Sequence, residues 1–237
     1  MHLQMMSLLL LSAGLACTPL SAQTLAADEA DPQEAVTVLA ERLHAAAPDA
    51  RQEIIALALE AMHCATVSGM SASQKLAVID YSLPSSQPRL WVFDLDSARL
   101  LFHELVAHGR NSGENMTTSF SNTLNSRASS IGLFRTRETY QGSNGYSMRM
   151  DGLEPGINDK ALERAIVMHG APYVNEDVVE KMGRLGRSWG CPAVREGVAR
   201  QIIDTLKGGQ FLFSYYPDQK WLGSSRYLNC SSRTASR

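Results

Sequence analysis

A histidine closing an apolar run and a cysteine in a glycine-bracketed loop are the two places where residue types and spacing could do chemistry. In Arg164-Ala-Ile-Val-Met-His169-Gly170 an apolar strand ends in an imidazole and then a glycine. In Gly186-Arg187-Ser188-Trp189-Gly190-Cys191-Pro192 glycines bracket a thiol that precedes a proline and a predicted helix. A thiol attacks as its thiolate, which an adjacent imidazole can form by taking the proton. Pro192 suits the first turn of a helix, so Cys191 is expected at a helix N-terminus, whose dipole favours an anion. Gly190 lets the backbone approach a substrate closely, and the amides of Trp189, Gly190 and Cys191 are candidates for binding an oxyanion. The ordinary alternative is a structural histidine and a cysteine that is merely a small buried hydrophobe. Spacing alone leaves both readings open.

The elements that must position these residues are legible in outline. Ala35, Val36, Leu39, Ala40 and Leu43 recur at helical spacing after Asp31-Pro32, an N-cap and first-turn pair, and predict a helix ending near Ala47. Pro48 opens a second predicted helix with Ile54, Ile55, Ala58, Leu59 and Met62 on one face, closed by Gly69. From Lys75 the period becomes that of strands. Lys75–Tyr81 alternates, Leu90–Phe93 and Leu100–Val106 read as a hairpin turning at Asp94–Ser97, and a Ser/Asn-rich loop spans Asn111–Ser130. Further strands are predicted at Ile131–Phe134, Ser147–Met150, Ala165–His169 and Phe211–Tyr216, with helices at Asn158–Arg164, Asn175–Met182 and Arg195–Leu206. The expected class is mainly β with helical insertions (α+β).

The chain has 237 residues with 22 basic against 24 acidic side chains, a balance that gives no electrostatic footprint for nucleic acid. Met5–Ala16 is an apolar run shorter than the ~20 residues needed to span a bilayer, but suited to the core of a secretory signal. Cleavage is expected after Ala22 or Ala26, although no Lys or Arg precedes the run. A lipid-attachment signal at Cys17 is the weaker reading, because Gly14 stands where Leu is usual. The expected organisation is a signal segment over 1–26, a helical segment over 27–70, the main domain over 71–230 and a flexible tail over 231–237. Signal removal would leave Cys64, Cys191 and Cys230, an odd number that predicts one pair and one free thiol without saying which is free.

Ile-Val-Met-His-Gly followed by Ser-Trp-Gly-Cys resembles the His-Gly…Ser-x-Gly-Cys signature of the YkuD-type L,D-transpeptidases, in the branch reading Gly-Arg-Ser-Trp-Gly-Cys-Pro-Ala. The resemblance extends in order through Leu105–Arg110, Phe120–Asn122, Ser129–Gly132, Tyr140–Gly142, Leu153–Asn158 and Arg164–Ala171. It thus covers roughly Leu76 to Tyr216. It implies a YkuD-like β-sandwich catalytic domain, here preceded by a short helical segment, that acts on peptidoglycan stem peptides. In that family the cysteine attacks the bond between the third stem residue and the terminal D-alanine, and an acceptor amine resolves the thioester. Carried over, Cys191 is the nucleophile and His169 its base, with a main-chain carbonyl as the usual third partner. Three positions depart from the commoner pattern. Trp189 replaces a usual His, Ala193 stands where Arg is usual, and Ser129–Phe134 replaces Thr-Pro-x-Gly-x-Phe.

Around this pair, Ser188 is a candidate either for bonding the catalytic groups or for shaping the turn. Trp189 is a candidate either for stacking on substrate or for anchoring the loop in the core. Arg187 and Arg110 are candidates for holding a stem carboxylate. Gly170, Tyr173 and His108 are further substrate-contact candidates, with packing as the alternative for Tyr173. His103 and His108, five apart, with no accompanying zinc motif, argue against a metal site, and no cofactor is expected. A Cys64–Cys230 disulfide would leave Cys191 free. The expected location is exported, periplasmic or wall-associated, without stable membrane insertion after signal removal, and a carbapenem is an expected inhibitor class. Transfer to an acceptor amine is the leading reading. Hydrolysis of a peptidoglycan-linked amide by the same pair is the second, and a non-catalytic wall-binding protein the third.

Overall fold

The computed structural model describes residues 32–230; the signal segment, Cys17, the Asp31 cap and the C-terminal tail lie outside the described residues. Two helices come first, α1 (Pro32–Ala46) and α2 (Gln52–Val67). The second begins later than Pro48 suggests. Pro48 and its neighbours form a turn, in which Ala47 and Ala50 are buried and His44 Nδ1 lies 2.8 Å from the Ala50 carbonyl. Arg51 then takes an extended conformation as the N-cap of α2, and its guanidinium reaches Asp80 at 2.9 Å.

The strands are β1 (Lys75–Asp80), β2 (Leu90–Asp94), β3 (Arg99–Glu104), β4 (Val106–Ala107), β5 (Gly132–Gly142), β6 (Gly145–Gly152), β7 (Val167–Gly170), β8 (Ala193–Val194) and β9 (Phe211–Tyr215). Three more helices are α3 (Glu176–Met182), α4 (Glu196–Leu206) and α5 (Gln219–Ser224). The class is mainly β with helical insertions, as the alternating segments predict. The strands join as one sheet in the order β3-β2-β1-β9-β5-β6-β7-β8-β4. Its two outer strands, β3 and β4, are separated in sequence by Leu105 alone. One stretch of chain therefore pairs with β2 through its first half and with β8 through its second, which curls the sheet into a nearly closed barrel.

Period-two alternation assigns the side chains to the two faces. Leu76, Val78, Trp91, Phe93, Phe211 and Phe213 share one core with α1, α2 and Trp221 of α5. Ala77, Ile79, Leu90, Val92 and Leu212 share the other with Ile202, Ile203 and Leu206 of α4. Each fully buried Ile, Leu or Phe contributes about 1.5–3 kcal/mol, so both faces of the central strands are stabilising. The helices α1 and α2 belong to the same compact unit as the sheet. Cys64 of α2 is disulfide-bonded to Cys230, with Cα atoms 5.8 Å apart.

Beyond the later start of α2, the sequence reading contains neither β8 nor α5, and two predicted elements differ in kind or extent. The predicted helix Asn158–Arg164 is a series of tight turns. Fully buried Asn158 donates from its amide to the Ile131 and Leu133 carbonyls, and accepts from the Glu154 amide. Those side-chain bonds compete with helix formation and win. The strand expected over Ile131–Phe134 runs on to Gly142, because the outer part of the β5–β6 hairpin is held by polar pairs that apolar alternation cannot reveal. Arg137 pairs with Asp151 at 3.2 Å, and Arg149 pairs with Glu138 at 3.1 Å while covering the Tyr140 ring. Among the described residues no helix is long and apolar enough to cross a membrane.

Candidate active site

Strands β7, β8 and β4 lie side by side and set Cys191 and His169 near one another. His169 of β7 is in register with Ala193 of β8, two residues after Cys191, and Ala193 is in register with Ala107 of β4. The loop carrying Cys191 is fastened to the segment after β4. Ser188 N–H donates to the His108 carbonyl at 3.0 Å, and Arg110 N–H donates to the Ser188 carbonyl at 2.8 Å. Gly190 has φ +122°, and a Cβ there would stand 2.7 Å from the Ala128 carbonyl oxygen and 2.9 Å from Ile166 Cδ1. Only glycine lets the chain pass through this gap and deliver the next residue into the cleft.

That cleft has a volume of about 500 Å3 and is lined by Cys191, His169, Arg164, Tyr173, Arg187 and Trp189, with Ser188, Ala165, Ser143 and Asn144 completing it. Cys191 is a free thiol, 8% exposed. Its sulfur accepts from the Val167 amide at 3.5 Å and donates to the Ala165 carbonyl at 3.6 Å. Burial pushes its pKa up, while the Val167 amide and the nearby Arg164 guanidinium oppose that shift. His169 is 4% exposed, with Nδ1 2.9 Å from the Gly170 carbonyl. A carbonyl can only accept, so Nδ1 carries the hydrogen of the neutral ring and Nε2 is left with its lone pair. Burial pushes the His169 pKa down. Both shifts favour the neutral thiol and the neutral imidazole.

The expectation that Cys191 sits at a helix N-terminus is corrected. Pro192 leads into β8, and α4 starts only at Glu196, behind its N-cap Arg195. Strand pairing with β7 and β4 captures the residues after the proline before a helix can begin. What offsets the thiol's burial is the Val167 amide and Arg164, not a helix dipole. Arg164 carried no role in the sequence reading. Its guanidinium donates to the carbonyls of Ser121 and Ala128 and to the hydroxyls of Ser130 and Ser126, at 2.5–3.0 Å. Its position at the head of the run ending in His169 was the available signal.

Ser188 shapes the turn: its hydroxyl donates to the Cys191 carbonyl at 2.7 Å and accepts from the Gly190 amide at 3.1 Å. The Gly190 amide is thereby committed within the loop rather than presented to an oxyanion. Trp189 is 67% exposed, so it is no core anchor. Arg187 lines the cleft but is paired with Glu114 at 2.7 Å and bonded to the Gly113 carbonyl. Tyr173 packs against Gly186 and lines the cleft, its phenol pKa pushed up to about 12 chiefly by burial, so it remains a hydrogen-bond donor. Gly170 faces α4, where a Cβ would lie 2.9 Å from that of Ala199. His108 and Arg110 do not line the cleft. His108 is fully buried with Nδ1 2.7 Å from Arg89, and Arg110 supports the loop through its backbone. His103 stacks on Trp91 with ring centroids 5.0 Å apart, away from the thiol. Ser143 and Asn144 reach the cleft from the turn between β5 and β6, and were missed because only the hairpin's length places them there.

Compared with known proteins, residues 46–215 match the family model described as the L,D-transpeptidase catalytic domain. The chain belongs to this family. The match begins at the end of α1 and so takes in α2 as well as the whole sheet. No curated protein matches. Similar solved structures include an L,D-transpeptidase in complex with imipenem, 15% identical, with a TM-score of 0.38 over 61% of this chain and 60% of that one. An L,D-transpeptidase from Mycobacterium smegmatis is 13% identical, with a TM-score of 0.38 and coverages of 61% and 60%. Another, from Stackebrandtia nassauensis, is 13% identical, with a TM-score of 0.37 and coverages of 77% and 91%. The alignment thus spans about 60% of the length of the first two structures.

Proposed function

We propose that this L,D-transpeptidase domain works by cysteine acyl transfer on peptidoglycan stem peptides. The observation that carries the reading is a free Cys191 thiol and a His169 imidazole on one cleft, the imidazole held by the Gly170 carbonyl so that Nε2 is the basic nitrogen. For the reaction to begin, the thiol leaves the Ala165 carbonyl and turns to Nε2, which takes its proton. The sulfur then adds to the carbonyl carbon of the stem residue preceding the terminal D-alanine. As the carbon–nitrogen bond breaks, the imidazolium returns its proton to the departing amine, leaving a thioester. An acceptor amine attacks that thioester with His169 again as base, forming the crosslinking amide and restoring the thiol. Tyr173, a phenol kept protonated, and the uncompensated charge of Arg164 are placed to stabilise negative charge at the cleft.

The expected location is exported, in the periplasm or at the wall. A Cys64–Cys230 disulfide supports an oxidising compartment. Incubation with tetrapeptide muropeptides, read by mass spectrometry, tests the reaction. Crosslinked dimers are the expected product; tripeptide alone would assign hydrolysis, and unchanged substrate with folded protein would overturn both. A carbapenem is expected to add its mass to Cys191, and not to the Cys191→Ala variant.

A further inference from the structure

Beside the cleft holding Cys191 is a second hollow of about 370 Å3, lined by Asn111, Asn125, Arg127, Arg164 and Trp189. Arg164 and Trp189 line both, so the exposed indole stands between the two. The Arg127 guanidinium lies over the Trp189 ring, 4.5 Å from its centroid. Stacking fixes the plane of a guanidinium and leaves its edge N–H groups free for a forked contact with a carboxylate. No Asp or Glu lines either hollow, and the Arg164 contacts are all with neutral oxygens. Of the three arginines that line the adjoining hollows, Arg187 is paired with Glu114, while Arg127 and Arg164 face no acidic side chain there.

The backbone presents Arg127 at a defined place. Asn125 and Arg127 have φ of +58° and +53°, the left-handed region that side chains other than glycine rarely adopt. The Arg127 carbonyl accepts from the Asn111 amide at 3.1 Å, and the Ala128 carbonyl accepts from Arg164. The same two residues press on the glycines of the cysteine loop. A Cβ at Gly109 would meet the Arg127 carbonyl oxygen at 2.5 Å, and one at Gly190 would meet that of Ala128 at 2.7 Å. The segment carrying Arg127 and the one carrying Cys191 are thus a single packed unit.

We propose that the hollow beside Trp189 binds the carboxylate of an α-amino acid whose nitrogen is at the reacting carbonyl, with Arg127 as the residue that reads it. The inference rests on the acyl-transfer reading and extends it. By microscopic reversibility D-alanine would return by the side from which it leaves, and an acceptor amine that attacks the same thioester carbon with the same His169 base uses that side too. A terminal D-alanine carries a carboxylate on the carbon next to that nitrogen, and so does any acceptor whose reacting nitrogen is the amino group of an α-amino acid. One carboxylate site serves both steps. In the first, the sulfur–carbon bond forms and the bond to the D-alanine nitrogen breaks. In the second, the acceptor nitrogen–carbon bond forms and the sulfur–carbon bond breaks. Arg127 takes no proton in either and acts on binding alone.

The test compares the whole protein with Arg127→Gln and Arg127→Lys on two donors, a tetrapeptide ending in D-alanine and the same peptide ending in D-alaninamide. A charged hydrogen bond of this type predicts a loss of about 10- to 100-fold in kcat/KM for Arg127→Gln on the carboxylate donor. The loss on the amide donor is expected to stay within about threefold, with Arg127→Lys intermediate on the carboxylate donor. Equal losses on both donors, or none on either, would overturn the carboxylate site while leaving acyl transfer standing. Failure of the unmodified protein to process either donor would instead overturn acyl transfer. The hollow is then judged by fluorescence, since Trp91 and Trp221 are 2% and 1% exposed and Trp189 is the one open to ligand. D-Alanine should change the emission saturably in the unmodified protein and not in Arg127→Gln; no change, or an equal one in both, would overturn the proposal.

Discussion

His169-Gly170 and His108-Gly109 are the same pair of residues at the ends of β7 and β4, the two strands that flank β8, and their surroundings give them opposite tautomers. Both imidazoles are buried, and both are followed by a glycine that other atoms crowd. At His169 a carbonyl faces Nδ1, so Nδ1 carries the hydrogen and Nε2 can act as a base. At His108 the Arg89 guanidinium faces Nδ1 at 2.7 Å, and a guanidinium can only donate. There Nδ1 must accept, and Nε2 carries the hydrogen toward the Gly113 carbonyl at 3.3 Å. Burial and the adjacent Arg89 charge also push the His108 pKa down to about 4. What distinguishes the two imidazoles is therefore the neighbour at Nδ1, not the motif.

The largest effect that would break this contrast is on turnover. His169→Ala is expected to lower turnover by about 10²–10⁴-fold, the usual contribution of general acid–base catalysis, whereas a folded His108→Gln should stay within about tenfold of the unmodified protein. Equal losses in tetrapeptide turnover would make the two histidines equivalent and sink the distinction.

The next effect is on stability. Arg89 is fully buried and bonds the carbonyls of Leu83 and Val106 as well as His108. Arg89→Leu strands those acceptors and is expected to cost about 3–5 kcal/mol in urea unfolding, with activity surviving in proportion to the folded fraction. A cost below ~1 kcal/mol would show that Arg89 does not organise this end of the barrel.

The pH dependence of stability sharpens the contrast further. His108 titrates near its ordinary 6.5 when unfolded and about 4 when folded, so between those values the unfolded chain binds a proton that the folded chain refuses. Its contribution is fully present above pH 6.5 and is lost as pH falls toward 4, on the order of 3 kcal/mol in all. His169 is shifted in the same direction. His108→Gln should flatten the fall in stability between pH 6.5 and 4; an unchanged slope would mean that His108 is not shifted by its surroundings.

The smallest expected effects are at the glycines. Gly109→Ala sets a Cβ 2.5 Å from a backbone carbonyl oxygen, while Gly170→Ala meets the Ala199 methyl at 2.9 Å. Overpacking of this kind costs about 1–3 kcal/mol, and the alanine at 109 should be the worse of the two because backbone yields less than a side chain. Thermal midpoints in the reverse order would refute that ranking.

Strands β1, β2, β7 and β9 were legible because their buried residues run unbroken, β3 because Leu100, Leu101 and Phe102 form an apolar run, and α3 and α4 because apolar spacing and turn residues bound them. The turns from Glu154 to Ala165 were not, since local helix preference gave way to Asn158's bonds across 25 and 27 residues of sequence. Cys191 and His169 stood out by type and position. Arg164, Ser143 and Asn144 did not, because only the closed sheet brings their turns to the thiol. The tautomer of either histidine was equally hidden: it depends on a carbonyl in one case and on an arginine 19 residues away in the other.

The Cys64–Cys230 bond closes a covalent ring around the catalytic body. Every strand of the sheet, from Lys75 to Tyr215, and both Cys191 and His169 lie inside it. A protease that cuts the polar loop between Asn111 and Ser130 would thus leave one molecule, not two. Non-reducing electrophoresis would show a single band at full mass, and reduction would release the two pieces.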